Sequence, residues 1–210
     1  GVSIDPERGY AFANVDNMPT MITVTPSTNA IKGNGGLTSN VGNVRFHDKG
    51  GRSCNGGMQG QLVAVNLGSG EIEWRVPLGS LEDEVGPGAK DMGAASIGPT
   101  LATAGGLVFA AATDDRFYAY DSRRGRLLWQ VKMPASSDAG PMTYVGKDGR
   151  QYVVIAAGGP GNAHRPSPRE NAVYHQVLIA FAVPKPGEKP VDITGPYPRR
   201  DQGPGPWPPN

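Results

Sequence analysis

Short apolar runs alternate with polar residues along the chain. Each run closes on Gly, Pro, Asn or Asp, which predicts strands of about five residues joined by tight turns. Residues 2–4, the breaker-rich Asp5-Pro6-Glu7-Arg8-Gly9 and residues 10–15 predict a hairpin. Residues 21–25 alternate and are β-branched, and predict a third strand. Residues 61–66 and 71–77 predict a second hairpin. Runs at 98–103, 107–112, 117–120 and 127–133, with turns at Gly105-Gly106, Asp114-Asp115 and Arg124-Gly125, predict a complete four-stranded unit. Runs at 141–145, 151–157 and 176–183 predict another unit that stops one strand short. Between these units, residues 26–58 lack periodicity and are rich in Gly, Asn and Ser, as in a functional or mobile insertion. Residues 81–91 form an acidic connector, in which Glu82-Asp83-Glu84 reads as a solvated patch. The pattern is all-β.

One stretch occurs twice. Ala64-Val65-Asn66-Leu67-Gly68-Ser69-Gly70-Glu71-Ile72-Glu73-Trp74 and Ala119-Tyr120-Asp121-Ser122-Arg123-Arg124-Gly125-Arg126-Leu127-Leu128-Trp129 share Ala, Asn or Asp, Gly and Trp at the same offsets, 55 positions apart. Each copy predicts a strand, a turn and a strand. The Asn or Asp side chain can accept from turn amides, and Gly tolerates φ > 0 where the chain reverses. The small Ala leaves room that a Trp can fill. A period of this length points to an array whose units cannot bury their apolar faces alone.

The pattern Ala-x-Asp-x-x-x-Gly-x-x-x-Trp resembles the tryptophan-docking motif of the quinoprotein dehydrogenases, β-propellers that hold pyrroloquinoline quinone (PQQ). Ala104-Gly105-Gly106-Leu107-Val108-Phe109, Pro141-Met142-Thr143-Tyr144 with residues 151–159, and Leu178-Ile179-Ala180-Phe181-Ala182-Val183-Pro184 extend the match. In that order they resemble the C-terminal blades of the membrane-type glucose dehydrogenase branch. The resemblance implies about three four-stranded antiparallel β-propeller blades, at about 1–79, 94–134 and 139–183, of an eight-bladed ring. The remaining blades would come from the same chain or a second one. Residues 185–210 form a Pro-rich extended tail. Three blades cannot close a ring, so each open face leaves apolar surface in water at roughly 25 cal/mol per Å². A stable, well-folded free monomer is therefore not expected.

The implied activity is oxidation of an alcohol or aldose sugar with PQQ and Ca²⁺, passing electrons to a quinone or cytochrome in the periplasm. The rival reading is a non-catalytic propeller scaffold, which has docking motifs too. In this branch the general base, the metal ligands and the residues stacked on the cofactor lie upstream of the matched segment, so neither a catalytic nor a metal-ligating residue is assigned here. Asp114, Asp115 and Arg116 follow a strand where relatives place an Asp near the active-site mouth; the plain alternative is a polar hairpin turn. Met92 and Gly93 stand where relatives have channel-facing loops; the alternative is a solvated linker. Gly159 and His164 follow the corresponding strand of the last unit and are substrate-side candidates. Pro160 replaces a His that relatives of the glucose type have there, and His164 reads equally as a surface histidine. After Cys54, relatives have a Pro-Pro-Trp-Gly-like segment; here Gln59 takes the Trp position, against an unmodified sugar site.

Composition changes this picture little. A net charge of +1 gives no bias towards nucleic acid. No run approaches the ~18 apolar residues of a membrane helix. The single Cys54 excludes an internal disulfide. The chain opens with neither an initiator Met nor a signal sequence, and reads as processed or as part of a longer polypeptide.

Overall fold

The computed structural model describes residues 1–22, 24–26, 37–39, 44–46, 48, 54, 56–158, 176–189, 191 and 193. Among the described residues are three larger antiparallel sheets and two two-stranded ones. The first joins β1 (Val2–Asp5), β2 (Tyr10–Asp16), β7 (Gly60–Asn66) and β8 (Ile72–Pro77) in that order. The second joins β9 (Leu101–Ala102), β10 (Leu107–Ala111), β11 (Arg116–Asp121) and β12 (Leu127–Lys132). The third joins β13 (Met142–Val145), β14 (Gln151–Gly158) and β15 (Gln176–Ala182).

The strand expected at 21–25 is two short strands instead. β3 (Thr20–Met21) pairs with β6 (Val44–Arg45), and β4 (Val24–Pro26) pairs with β5 (Leu37–Ser39). Both partners lie within the segment expected to lack structure. The third place in the first sheet goes to β7, which pairs with β2 over seven residues, from Tyr10 opposite Asn66 to Asp16 opposite Gly60. Strand propensity marks an extended segment but not its partner; the longer ladder with a buried face prevails.

The middle sheet is covered on both sides, and its alternation divides two cores. Val108, Ala110, Tyr118 and Tyr120 face the first sheet and pack with Phe12, Leu62, Ala64 and Leu78. Phe109, Ala111, Phe117 and Ala119 face the third sheet and pack with Val153, Ile155 and Ile179. Double burial explains why β10 reads as a continuous apolar run. The outer faces are open. Val2, Ile4 and Val15 are exposed on the first sheet, beside a groove of about 460 Å³ lined by Val63, Val65 and Arg75; Met142, Tyr144 and Leu178 are exposed on the third.

The repeated motif fastens the sheets. Asn66 Oδ1 accepts from the amides of Gly68 and Ser69, and Asp121 Oδ1 from those of Arg123 and Arg124. The same device closes the first hairpin, where Asp5 Oδ1 accepts from the Glu7 and Arg8 amides. Ala64 lies opposite Trp74 and Ala119 opposite Trp129, and both hairpins shift register immediately after the Ala. Trp74 crosses to the second sheet. Its Nε1 donates to the Ser122 carbonyl at 3.0 Å, and its indole lies over Gly125, where an added Cβ would stand 2.6 Å from the ring. Trp129 crosses to the third sheet and meets Phe181 edge-on, with ring centroids 5.3 Å apart, while 40% of its surface stays exposed.

Candidate functional site

Antiparallel pairing sorts the connections to two ends. Hairpin turns at 6–9, 67–71, 103–106, 122–126 and 146–150 share one end. There Arg8 Nη1, ion-paired with Asp5 at 2.7 Å, also donates to the Ala104 carbonyl of the second sheet. The opposite end receives the connections 17–59, 78–100, 112–115 and 133–141. Sequence candidates on the described residues, namely Met92, Gly93, Asp114, Asp115 and Arg116, all stand at this loop end.

Asp114 is a buried carboxylate, its side chain 2% exposed. The β10–β11 reversal is tight, and Asp115 takes φ +61, a conformation that Asp tolerates better than most side chains. Asp114 Oδ2 accepts from the Ser80 amide at 2.9 Å and from the Tyr118 hydroxyl; Oδ1 accepts from the Arg116 amide at 3.3 Å. The Arg116 guanidinium stands 3.5 Å from Oδ2 and reaches on to Asp83 Oδ2 at 2.9 Å. Burial pushes the Asp114 carboxyl up, against the lowering pull of these donors. Burial, then the adjacent Asp114 charge, pushes the Tyr118 hydroxyl far above its ordinary range. The hydrogen bond from Arg116 holds the Asp83 carboxyl down. The acidic connector is thus not simply a solvated patch: Asp83 lies in a short helix, α1 (Glu82–Val85), that it ties to the second sheet, and Lys132 Nζ lies 3.8 Å from the same carboxylate.

Met92 ends a single 3-10 turn, Lys90–Met92, and packs against the core between the first two sheets. Gly93 has φ +69 and presses on the start of β7, where an added Cβ would overlap the Gly60 carbonyl. Gly60 meets the Ala94 carbonyl equally closely. The Gln59 amide donates to the Met92 carbonyl, and the Gln59 carbonyl accepts from Asn17 at 2.7 Å. Gln59 is buried, and its carboxamide Nε2 has no acceptor among the described residues. Sequence reasoning noted Gln59 as a departure from a Trp position; that its side chain would be a buried, unmatched donor depends on the packing of 92–94 against Gly60, which no local pattern signals. Ser80 was missed for a similar reason, since its role arises from a contact spanning 34 residues, and Tyr118 because its bond to Asp114, four residues away, matters only once that turn is buried.

Gly159 and His164 lie outside the described residues, as do His47, Pro160 and His175. The described part of that region is the loop end of the third sheet, where the Gly158 amide donates to the Ser136 carbonyl at 3.2 Å and Ser137 Oγ donates to the Ala156 carbonyl at 2.7 Å. A cavity of about 410 Å³ opens there between Asp138, Ala139, Ala157, Gly158 and Leu178. Among the described residues no three His, Cys, Asp or Glu side chains converge as metal ligands would.

A family model described as "PQQ: Glucose/ethanol/alcohol dehydrogenase, beta-propeller domain" matches residues 1–153. The chain is 32% identical over 207 residues to the quinoprotein glucose dehydrogenase of Escherichia coli, covering 88% of this chain and 25% of that protein. It is also 32% identical over 208 residues to the quinate/shikimate dehydrogenase (quinone) of Acinetobacter baylyi, with the same coverage. The chain therefore spans about a quarter of the length of these relatives. The quinohemoprotein alcohol dehydrogenase of Comamonas testosteroni shares the fold, with a TM-score of 0.54 at 18% identity over 94% of this chain and 26% of that one. With docked four-stranded sheets, paired Trp motifs and this match over most of its length, the chain belongs to the PQQ glucose/ethanol/alcohol dehydrogenase β-propeller family.

Proposed function

We propose that these blades are part of a PQQ- and Ca²⁺-dependent dehydrogenase that oxidises an alcohol or sugar hydroxyl and delivers electrons to a quinone or cytochrome in the periplasm. When bound, PQQ supplies a carbonyl that accepts hydride equivalents from the substrate carbon, polarised by the metal. The observation that carries the reading is the loop end itself. Connections from the docked sheets gather there, with one buried carboxamide, Gln59 Nε2, lacking an acceptor among the described residues. A planar quinone bearing carboxylates is rich in acceptors and fits that unmatched donor. In this reading Gln59 donates to the bound group, and Met92 and Gly93 form the loop that brings it close.

Asp114 is not the general base. Its side chain is only 2% exposed and is held by Ser80, Tyr118 and Arg116, out of reach of a substrate hydroxyl. The base and the Ca²⁺ ligands are assigned to the rest of the propeller, and Gly159 and His164 to the substrate side. Relatives named for glucose and for quinate and shikimate support a polyhydroxylated substrate, and Pro160 and Gln59 speak for one other than glucose.

The test is dye reduction by the assembly containing this chain, with PQQ and Ca²⁺ added, across alcohols, aldoses, quinate and shikimate. Turnover with at least one of them that is lost on chelating the metal is expected. Absence of turnover across the panel, with quinone bound or not, contradicts the proposal and favours a scaffold.

A further inference from the structure

The connection between the first two sheets leaves and returns through a backbone clasp, in which the Leu78 amide donates to the Gly60 carbonyl and the Ala94 amide to the Leu78 carbonyl. Between these points residues 79–93 make an excursion that carries α1 and ends on Met92 and Gly93. Its near limb lies on the β10–β11 turn: at Gly79, φ +79, a Cβ would stand 2.8 Å from the Ala112 side chain. Two side chains of that turn hold the excursion. Asp114 takes the Ser80 amide and Arg116 takes Asp83.

The Ser80 bond joins a connector to a distant turn through a charged acceptor. A neutral side chain could receive one backbone N–H. Here the acceptor is a carboxylate buried to 2% exposure, held in place by the Tyr118 hydroxyl, itself on a residue only 3% exposed. Charge-assisted bonds in a buried site are stronger and more directional than neutral ones. Such an arrangement fixes position more firmly than a hairpin turn alone requires.

We propose that Asp114 and Tyr118 are positioning residues, a clamp that sets the excursion 79–93 and through it Met92, Gly93 and the Gln59 carboxamide, without touching the bound group themselves. The inference rests on reading the loop end as the cofactor face. It assigns to the sequence candidate Asp114 a role one shell of contacts removed from the one that the resemblance implies.

Hydrogen exchange at the Ser80 amide, with PQQ titration of the same assembly, tests it. Asp114→Asn is expected to speed Ser80 exchange by roughly ten- to a hundredfold, and Tyr118→Phe, the milder variant, by less. Both are expected to raise the Kd for PQQ, on the order of tenfold for Asp114→Asn, while the Gly125 amide at the turn end keeps its exchange rate. Gly70→Ala, which strains a remote turn, is expected to lower stability without moving the Kd. Unchanged Ser80 exchange in both variants overturns the clamp. Faster exchange with an unchanged Kd overturns the positioning role. If the unsubstituted assembly binds no quinone, the cofactor reading fails, and the exchange arm alone decides whether the clamp exists.

Discussion

At the residue scale, the indole of Trp74 lies where Gly125 has no side chain, and this contact separates two effects that glycine substitutions normally mix. Gly70 and Gly125 both adopt positive φ, +77 and +65, but a Cβ at Gly70 meets nothing within 4 Å. Gly70→Ala should therefore lose only the backbone term, about 1–2 kcal/mol. Gly125→Ala should lose roughly 1–3 kcal/mol more, because the indole must move. Urea unfolding of the two variants measures the difference, and equal losses would mean the indole is not docked. A second residue-level prediction concerns Asp148, whose carboxyl is held down to about 2 chiefly by its hydrogen bond from Arg150, 2.5 Å away. A depressed folded value means that the pair's contribution is present above the unfolded value of 3.8 and is lost as pH falls towards 2. Arg150→Met should return the Asp148 midpoint towards 3.8, read by carboxyl NMR titration. These local features were largely legible: the Asn66 and Asp121 turn bonds follow from residue type and spacing. The turn at Asp5 was expected too, from its Pro and Gly; its kinship with the motif was hidden because its hairpin has Ala13 where the motif has Trp.

At the scale of elements, the register of β7 against the connector depends on two glycines, Gly93 pressed on the Gly60 carbonyl and Gly60 on the Ala94 carbonyl. Gly93→Ala should cost at least about 2 kcal/mol, since the displaced atom is the Gly60 carbonyl rather than a yielding side chain. Gly88→Ala, at φ +94 with nothing nearby, should cost less. Chemical denaturation compares them, and faster exchange at the Gln59 and Ala94 amides should accompany Gly93→Ala alone. This crossing shows where reading by pattern stops. Apolar runs bounded by turn residues placed the strands β7, β8, β10, β11 and β12 within a residue or two. It did not find that 21–25 divides between two outlying ladders, because both pairings are with segments that carry no apolar period of their own. It also left Asp114 as either a turn residue or a cofactor ligand. The structure places it in the turn, with its carboxylate buried beneath a connector 34 residues away.

At the scale of the whole molecule, the middle sheet is finished and the outer two are not. Their open faces carry Val2, Ile4 and Val15 on one side and Met142, Tyr144 and Leu178 on the other, all more than 40% exposed. Contiguous apolar surface of this kind marks an interface. These 210 residues produced alone should therefore associate or remain loosely folded, and light scattering after size exclusion should find no compact monomer. Family and fold were legible because the Trp docking that joins neighbouring sheets is written locally, twice. Substrate was not, because the loop that would meet it, around Gly159 and His164, has no repeating pattern to read. The most direct test of the account is whether the assembly containing this chain retains PQQ. After incubation with PQQ and Ca²⁺ and removal of free cofactor by gel filtration, quinone absorbance should elute with the protein, and it should be weakened by Gln59→Ala in material that still unfolds at the unsubstituted urea midpoint. Protein that elutes folded and free of quinone would contradict it.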